Sequence, residues 1–559
     1  MQKHHYLMNK LNKILLAAAL VLMPSATLLA KAIVQIGDRY ILNVPELQLC
    51  GDETALDVLM MCPDIMTQDA RTTSSLRCMG NYAVRVDNID IKIDQETFLK
   101  NTRASELQKI VVCLHPHVMK GSSGLRKVID LYFRTDTTGT HAKVYAEGDT
   151  QASGTLFARA TSLTSKLSLM GQAVGKSRYA SSERLTEADA SVHAVWTPTP
   201  KDHMRMQVSQ TFQRTRPDGL TADYNRQTAA SVGYDRTLND KGAYIMFVGG
   251  ADYTTSRTAS LGPSDQATSP FAAIEFASQF LNPHFYITTG IEYGMTYQKH
   301  AIADYANRES YEDLYVQLDF TSGRWGASYG NRFRTNTYWL KQLGNDPAWE
   351  HTTANDLYLA SVWYEINDHN TIQARFSHRF YAQDHADFVD DSQQYTIHAY
   401  KKPVYISELR HTLQHPSFNL TTLVKNIHQH LAPSTTDHIL MTGFSMFAHA
   451  GILRLTAGAN YCWERMRIPS ATEHTNWVSL HLAPQITPGH GWRFTANAIY
   501  NSRRADLSMP LFYSRANCYL DVQAARRINR HLLVEAKWHD IVDQRVGTRG
   551  ASLGLTYTL

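Results

Sequence analysis

The chain has 559 residues, with 55 Lys and Arg against 51 Asp and Glu and a formal net charge of +4. So small a charge on so long a chain argues against a nucleic-acid-binding protein that depends on a basic surface. The mean hydropathy of −0.33 excludes a helical membrane protein, which would be far more apolar. A content of 29 Tyr and only 19% charged residues suits strands with one apolar and one polar face.

Residues 1–32 have the pattern of a secretory signal peptide. Lys3, Lys10 and Lys13 give a charged start, residues 14–23 are a short apolar run, and residues 30–32 (AKA) are suited to cleavage. The apolar run is too short to span a membrane as a helix. We therefore expect an exported protein whose mature chain begins near residue 32.

Residues 33–138 mix short helical and strand patterns and are predicted to form a small α/β domain. A helix is predicted at 52–61, with Asp52 as N-cap and Pro63 just beyond its end. The other predicted elements are a helix at 99–107 and strands at 83–87, 89–93, 109–114 and 128–133. If the rest of the chain forms a wide barrel, whose own side chains cannot fill it, this domain is the obvious plug for its lumen.

The six cysteines do not settle whether the chain carries disulfides. They are Cys50, Cys62, Cys78, Cys113, Cys462 and Cys518. The first four lie in the N-terminal domain, where export permits disulfides and the spacing fits no zinc pattern. Four cysteines allow three pairings, between which the sequence does not choose; buried thiols are the alternative.

Residues 139–559 read as one antiparallel meander of alternating strands. Leu314, Val316 and Leu318 alternate with polar neighbours, and the same alternation runs through residues 285–295. A period of two places one face in an apolar and one in a polar medium. A soluble sandwich has the same period, so further features are needed to decide.

Three features identify this meander as a transmembrane barrel of the cell outer membrane. Short turns such as 199–202 and 322–323 alternate with longer polar stretches, of which 334–353 and 381–399 are predicted to be loops. The last strand, residues 552–559, resembles the signal read by outer-membrane assembly machinery, with Leu559 in place of the usual aromatic residue. The signal peptide is the third. The predicted fold is an all-β transmembrane barrel of about 22 antiparallel strands with an N-terminal α/β plug.

Several segments of the N-terminal domain match a known family in order and spacing. They are residues 38–44 (DRYILNV), 55–59 (ALDVL), 63–65 (PDI), 84–88 (VRVDN), 110–112 (IVV) and, after Pro116 and Gly124, 128–131 (VIDL). Together they are similar to the plug of TonB-dependent receptors. The resemblance implies an outer-membrane transporter, powered by TonB, that takes up a scarce ligand such as a siderophore, haem, cobalamin or an oligosaccharide.

The sequence also departs from that family. Nothing like its coupling segment, the TonB box, lies between residues 32 and 38, and Asn88 stands where the family has a hairpin glycine. Arg126 and Lys127 replace a double glycine that permits close backbone approach. These departures favour a second hypothesis, a non-energised outer-membrane channel or a structural subunit of a surface complex. Because a passive pore gains nothing from a plug, we favour the receptor, with TonB and a surface lipoprotein as its expected partners.

Candidate ligand-binding histidines occur in two places. His115 and His117 lie in the plug, and His428 and His430 lie at a strand end. Histidine is the commonest metal ligand and also binds haem. With 25 His spread over the chain, we interpret these four as solvated or hydrogen-bonded, and we predict no metal site and no cofactor.

Aromatic and basic residues near the loops give no sharper prediction. Trp339, Trp349 and Trp463 could stack on sugars, but an aromatic girdle at the membrane interface explains them more simply. Arg503 and Arg504 read as a charged pair at the rim. The chain has no G-x-S-x-G nucleophile motif in a strand-turn-helix context, so we predict no enzyme and no catalytic residue. The ligand-binding residues are not identifiable from the sequence.

Overall fold

A computed structural model gives the arrangement of the chain. It describes residues 33–558 except for short segments, which are 37–38, 48, 50–52, 60, 63–81, 87–88, 92–94, 114–126, 135–138, 151–152, 165, 181–182, 218–221, 240–241, 258–264, 280–282, 301–304, 343–348, 381–385, 392–393, 400–402, 416–417, 433–434, 470, 506–512, 515, 540 and 542–549. The predicted signal peptide, the Asp52 cap, Cys50, Cys78, His115 and His117 all lie outside the described residues.

The N-terminal part of the chain forms a six-stranded sheet with two short α-helices. Its elements are β1 (Ile33–Ile36), β2 (Arg39–Asn43), a 3-10 turn (Val44–Glu46), α1 (Ala55–Leu59), β3 (Tyr82–Val86), β4 (Ile89–Asp90), α2 (Gln95–Asn101), a second 3-10 turn (Ala104–Glu106), β5 (Leu107–Cys113) and β6 (Lys127–Phe133). The strand order is β1-β2-β5-β6-β3-β4, with β3 parallel to β6. In the described part of the chain, no helix is long and apolar enough to span a membrane.

The first helix is fixed by a reciprocal cap. The Thr54 backbone N–H donates to Asp57 Oδ2 at 2.8 Å, and the Asp57 N–H donates to Thr54 Oγ1 at 3.2 Å. This exchange satisfies two N–H groups that the helix itself leaves unpaired. Helix α1 therefore starts after Thr54 and is shorter than the predicted 52–61.

The predicted helix at 99–107 is wrong in extent. Helix α2 begins at Gln95 and ends at Asn101. Its last carbonyls are taken by side chains, since Asn101 Nδ2 donates to Thr97 O at 2.9 Å and Thr102 Oγ1 donates to Phe98 O at 2.8 Å. Side chains that bond back in this way compete with further helix, and the chain then enters β5 at Leu107.

The plug core is continuous with the barrel wall. Leu42, Val58 and Phe98 are fully buried, and the same apolar cluster includes Met170 and Phe447 from the barrel. Burial of this kind stabilises the plug itself, and only a few barrel side chains take part in it. Cys62 and Cys113 are also buried, and because Cys50 and Cys78 lie outside the described residues, the choice between disulfides and buried thiols stays open.

The rest of the chain closes into a 22-stranded antiparallel barrel, which confirms the predicted fold. Its strands are β7 (Gly139–Asp149), β8 (Gly154–Leu163), β9 (Leu167–Ala180), β10 (Glu183–Thr199), β11 (Asp202–Pro217), β12 (Asp223–Thr237), β13 (Tyr244–Arg257), β14 (Asp265–Gln279), β15 (Phe285–His300), β16 (Tyr305–Ser322), β17 (Trp325–Gln342), β18 (Trp349–Asn367), β19 (Asn370–Phe380), β22 (Pro403–His415), β23 (Phe418–Ala432), β24 (Thr435–Ala450), β25 (Leu453–Ile468), β26 (Ala471–Gly489), β27 (Trp492–Asn501), β30 (Asn517–Arg527), β31 (Leu532–His539) and β32 (Gly550–Thr558). The barrel closes where β32 pairs with β7.

Two hairpins rise from the rim opposite the chain termini. They are β20 (Ala386–Asp391) with β21 (Gln394–Ala399) and β28 (Arg504–Ala505) with β29 (Tyr513–Ser514). The first hairpin occupies the predicted loop at 381–399. The predicted loop at 334–353 is wrong, because β17 runs to Gln342 and β18 begins at Trp349. Its polar residues continue the alternation of the strands instead of interrupting it.

The outer face of the barrel is apolar and the inner face is polar. Ile291, Leu314 and Leu553 are 61%, 57% and 62% exposed, whereas the inward-facing Asp313 and Gln317 are each 1% exposed. A closed barrel leaves no unpaired strand edge, so its backbone is satisfied in lipid. The chain is a transmembrane barrel of the outer-membrane type, with termini on the short-turn rim.

Candidate functional site at the plug–barrel interface

Three acidic residues of the plug form ion pairs with three arginines of the barrel. We call this set the plug latch; its pairs are Asp57–Arg493, Glu53–Arg454 and Glu106–Arg159. In every pair the plug supplies the carboxylate and the barrel supplies the guanidinium. The latch therefore gives the two parts complementary charges, which set orientation as well as adding attraction.

The first pair joins helix α1 to strand β27. Arg493 Nη1 lies 2.7 Å from Asp57 Oδ2, and Arg493 is only 2% exposed. Its other terminal nitrogen lies 3.5 Å from Glu535 Oε1. Burial by itself raises the pKa of the Asp57 carboxyl, but Arg493 and the Thr54 hydrogen bonds outweigh it and hold that pKa below its usual range.

The second pair is the most deeply buried. Arg454 Nη1 donates to Glu53 Oε1 at 2.8 Å, and the two residues are 8% and 0% exposed. Removing charges from water is costly, so such a pair survives because each partner compensates the other. Glu53 lies directly before the Thr54 cap, and α1 is therefore held at its start from two sides of the wall.

The third pair fixes the end of helix α2 against the first barrel strands. Arg159 of β8 pairs with Glu106 and also donates to Thr102 Oγ1 at 3.0 Å. Beside it, Lys143 Nζ of β7 donates to the Asn101 carbonyl oxygen at 2.8 Å. That carbonyl is one of the helix-terminal acceptors that need an outside partner, so the barrel wall completes the C-terminal cap of α2.

Two further contacts tie the plug to distant strands. Arg103 Nη2 donates to Thr558 Oγ1 of the last strand at 2.5 Å, and the Tyr40 and Thr421 hydroxyl oxygens lie 3.3 Å apart. These contacts, like the latch, are polar. Polar contacts can be exchanged for contacts with water at a small net change in free energy, so an interface of this kind can hold a plug and still release it.

Strands β15–β17 carry a second buried charge network that faces the lumen. Arg332 pairs with Asp313 and lies 2.8 Å from Glu292 Oε2, and Arg334 Nη2 lies 2.6 Å from Asp313 Oδ2. The Tyr311 hydroxyl donates to Glu292 Oε1 at 2.9 Å. The two arginines match the two carboxylates, so this network stiffens the wall and offers no surplus charge to a ligand.

The described histidine candidates do not face the lumen. His428 and His430 have the same strand parity as the exposed Val424 of β23 and therefore point outward. Their ring centroids lie 5.2 Å apart, and the ring of His438 lies 6.2 Å from that of His428. Among the described residues, no group of three or more His, Cys, Asp or Glu is arranged to hold a metal ion.

Two of the three predicted tryptophans also point outward. Trp339 lies under the Arg308 guanidinium at 5.7 Å, and the ring of Trp463 is 5.8 Å from that of His438. The side chains of Trp349 and Arg504 lie outside the described residues, and Arg503 is exposed beyond the end of β27.

Sequence reasoning missed the latch. The latch arginines occupy normal lumen-facing positions of their alternating strands. No local sequence pattern therefore distinguishes Arg159, Arg454 and Arg493 from other inward-facing polar residues. The one available signal was the Thr54-x-x-Asp57 pattern, in which a capping carboxylate also reaches the wall.

Neither the family models nor the curated proteins give a match to the sequence. Solved structures do, among them the open form of the ferric-catecholate import receptor Fiu from E. coli (TM-score 0.68, 10% identity, covering 95% of this chain and 97% of that chain). The siderophore receptor PirA from Acinetobacter baumannii matches with a TM-score of 0.70, 10% identity and coverage of 94% and 100%.

A mutant of the ferric enterobactin receptor PfeA from Pseudomonas aeruginosa, in complex with enterobactin, matches with a TM-score of 0.68, 9% identity and coverage of 94% and 100%. At sequence identities this low, the similarity extends to the fold and not to the binding residues. Over nearly its whole length, the chain has the plug-and-barrel fold of TonB-dependent siderophore receptors.

Proposed function

We propose that the chain is an outer-membrane receptor that takes up a scarce ligand and admits it by a TonB-driven movement of the plug. The observation that carries this proposal is the plug latch. A folded domain lies in the lumen of a closed barrel and is held there by three acid–arginine pairs. A domain held by polar contacts can be displaced and can return, as gated import requires.

The proposed ligand class comes from the structurally similar receptors. The three structures above are described as receptors for ferric catecholates, siderophores and ferric enterobactin. A ferric siderophore is therefore the first ligand to test, before haem, cobalamin or an oligosaccharide.

One observation favours the second candidate, a non-energised channel or a structural subunit of a surface complex. Residues 33–36, where the family would have a free coupling segment, form β1 and pair with Arg39–Leu42 of β2. Since β1 is an edge strand with a single neighbour, it can detach more readily than a central strand. Coupling through this region requires that detachment.

The test is binding of the purified full chain to the periplasmic domain of TonB. Val34 pairs with Ile41 in the β1–β2 register, so Val34→Pro interrupts strand pairing there, while Val34→Thr keeps it. We expect the parent chain and Val34→Thr to bind TonB, and Val34→Pro to bind it more tightly, because the proline favours the detachment of β1 that coupling requires. If none of the three binds TonB, energised import is wrong and the channel or scaffold becomes the working model.

Uptake provides the second arm of the test. In a bacterial strain without its own siderophore receptors, the chain should restore growth on a ferric catecholate siderophore only when TonB is present. Growth that does not depend on TonB would instead indicate a passive channel, which planar-bilayer conductance would then measure.

A further inference from the structure

Four arginines lie together on the outward surface of three neighbouring strands. They are Arg184 of β10, Arg214 and Arg216 of β11, and Arg226 of β12, and all four are exposed. On β11, Arg214 and Arg216 lie on the same face of the strand as the outward-facing Met206, Val208 and Phe212, which are 56%, 48% and 37% exposed. The alternate side chains Arg205, Gln207 and Ser209 face inward and are buried. The arginines therefore point away from the lumen.

The strand register brings these like charges together. Arg184 stands directly opposite Arg216, and Arg226 stands opposite Phe212, one diagonal step from Arg214. Like charges opposite each other on adjacent strands destabilise a sheet. An anion that lies between the arginines would remove this repulsion.

The described part of the protein does not supply that anion. At the outward positions of the described parts of β9–β12, the only carboxylate is Asp202, which lies at the opposite rim and pairs there with Arg236 at 3.8 Å. Arg184 Nε donates to the neutral Ser177 Oγ at 3.3 Å. The Gln210 amide oxygen accepts from Arg226 Nη2 at 2.5 Å and from Nε at 2.6 Å. Both of these partners are neutral, so the four positive charges are left for an anion outside the barrel.

The position of the cluster indicates what that molecule is. Along β11 the outward residues change from apolar to basic after Phe212, at the rim opposite the chain termini. In outer-membrane barrels this rim faces the cell surface, and such a change marks the level where acyl chains give way to headgroups. Phosphate is the anion at that level that a planar guanidinium binds with two parallel hydrogen bonds.

We propose that Arg184, Arg214, Arg216 and Arg226 form a binding site for the phosphate group of an outer-leaflet membrane lipid. Phe212 and Tyr224, which stand opposite Arg226 and Arg214, contact the part of the lipid next to its headgroup. A phosphate between the paired arginines removes their repulsion, so the lipid also stabilises β10–β12.

A second row of outward-facing basic residues lies on the far side of the barrel. His438 of β24, Arg465 of β25 and His474 of β26 stand opposite one another in a continuous cross-strand row. Arg465 and His474 are exposed, and all three share the outward parity of Leu440, Tyr461 and Leu480. Basic outward residues at this rim thus occur on two separate groups of strands.

The experiment measures lipid binding to the purified full chain in neutral detergent by native mass spectrometry, with diphosphoryl lipid A as the probe. The test variant is Arg214→Gln with Arg216→Gln. The matched control is Lys176→Gln with Arg178→Gln, which removes two charges from the inward parity of β9, the parity of the buried Gln172 and Val174. Since one basic residue near an anionic membrane surface is worth about a factor of five, we expect the test variant to bind roughly tenfold or more weakly, and the control to bind like the parent.

Other outcomes overturn the proposal. Equal binding by the test and control variants would show that the outward arginines do not hold the lipid. Equal binding of phosphatidylcholine, or full competition by inorganic phosphate at lipid concentrations, would show that the site does not select a lipid phosphate. Heat-modifiable gel migration checks that each barrel is folded, and Arg184→Gln with Arg226→Gln provides a second test variant if the first does not fold.

Discussion

Arg493 of the barrel and Asp57 of the plug meet at 2.7 Å across 436 residues of sequence. The same Asp57 oxygen accepts the Thr54 backbone N–H at 2.8 Å. The residue that caps helix α1 is therefore also the residue that docks it. Docking of the plug and local order of α1 are coupled through one carboxylate.

The first prediction concerns removal of this guanidinium. Arg493→Gln leaves the partly buried Asp57 carboxylate without its cation, and a polar group left unsatisfied in this way costs about 1–3 kcal/mol. We expect the plug to loosen and the conductance of the protein in planar bilayers to rise above that of the parent. The matched control is Arg334→Gln, because Arg334 pairs with Asp313 within the barrel wall. If both variants raised the conductance equally, the effect would come from the wall and not from the latch.

The second prediction concerns pH. Because the pKa of Asp57 in the folded protein is held below its ordinary value of 3.8, its contribution to docking is fully present above that value and is lost as the pH falls through the lowered pKa. Bilayer conductance should stay low from neutral pH down to about 4 and rise below it. In Asp57→Asn the carboxylate is already absent, so that part of the pH dependence should flatten. An unchanged profile in Asp57→Asn would assign the transition to another group.

The third prediction uses the buried pair Glu53–Arg454 in a double-mutant cycle. Glu53→Gln alone removes from the buried Arg454 the carboxylate with which it pairs, and Arg454→Gln alone removes the guanidinium from Glu53. Each single variant should therefore destabilise the docked plug by about 3 kcal/mol, and the double variant by clearly less than the sum. Limited proteolysis of the plug gives the populations to compare. Additive effects would show that the two side chains do not interact.

The sequence predicts the barrel well because its information is local. Alternation such as Leu314–Val316–Leu318 predicts which face of a strand contacts lipid. Repetition of this pattern along the chain predicts a closed barrel, and the structure shows one with 22 strands. Two local errors have local causes. The side chains of Asn101 and Thr102 end helix α2 before the predicted 107, and polar residues at 334–342 continue β17 because its inner face is polar throughout.

The plug latch could not be predicted from the sequence, for a different reason. Asp57 and Arg493, or Glu53 and Arg454, are separated by more than 400 residues, and each arginine occupies an ordinary inward position. Only the orientation of the plug within the barrel brings them together. That orientation depends on the summed packing of Phe98, Met170, Phe447 and their neighbours, which no local pattern encodes.

The last prediction concerns the glycine at 294, on the inner face of β15. A Cβ placed there would overlap the Tyr311 ring, whose hydroxyl donates to Glu292 Oε1 at 2.9 Å. Gly294→Ala forces the ring aside, and overpacking of this kind costs about 1–3 kcal/mol. We expect the temperature at which the barrel unfolds at a fixed heating rate to fall. Gly175→Ala is the control, because no atom lies within 4 Å of a Cβ there, and replacing a strand glycine by alanine slightly stabilises a strand. If Gly294→Ala left the unfolding temperature unchanged, the Tyr311–Glu292 contact would contribute little to the stiffness of the wall.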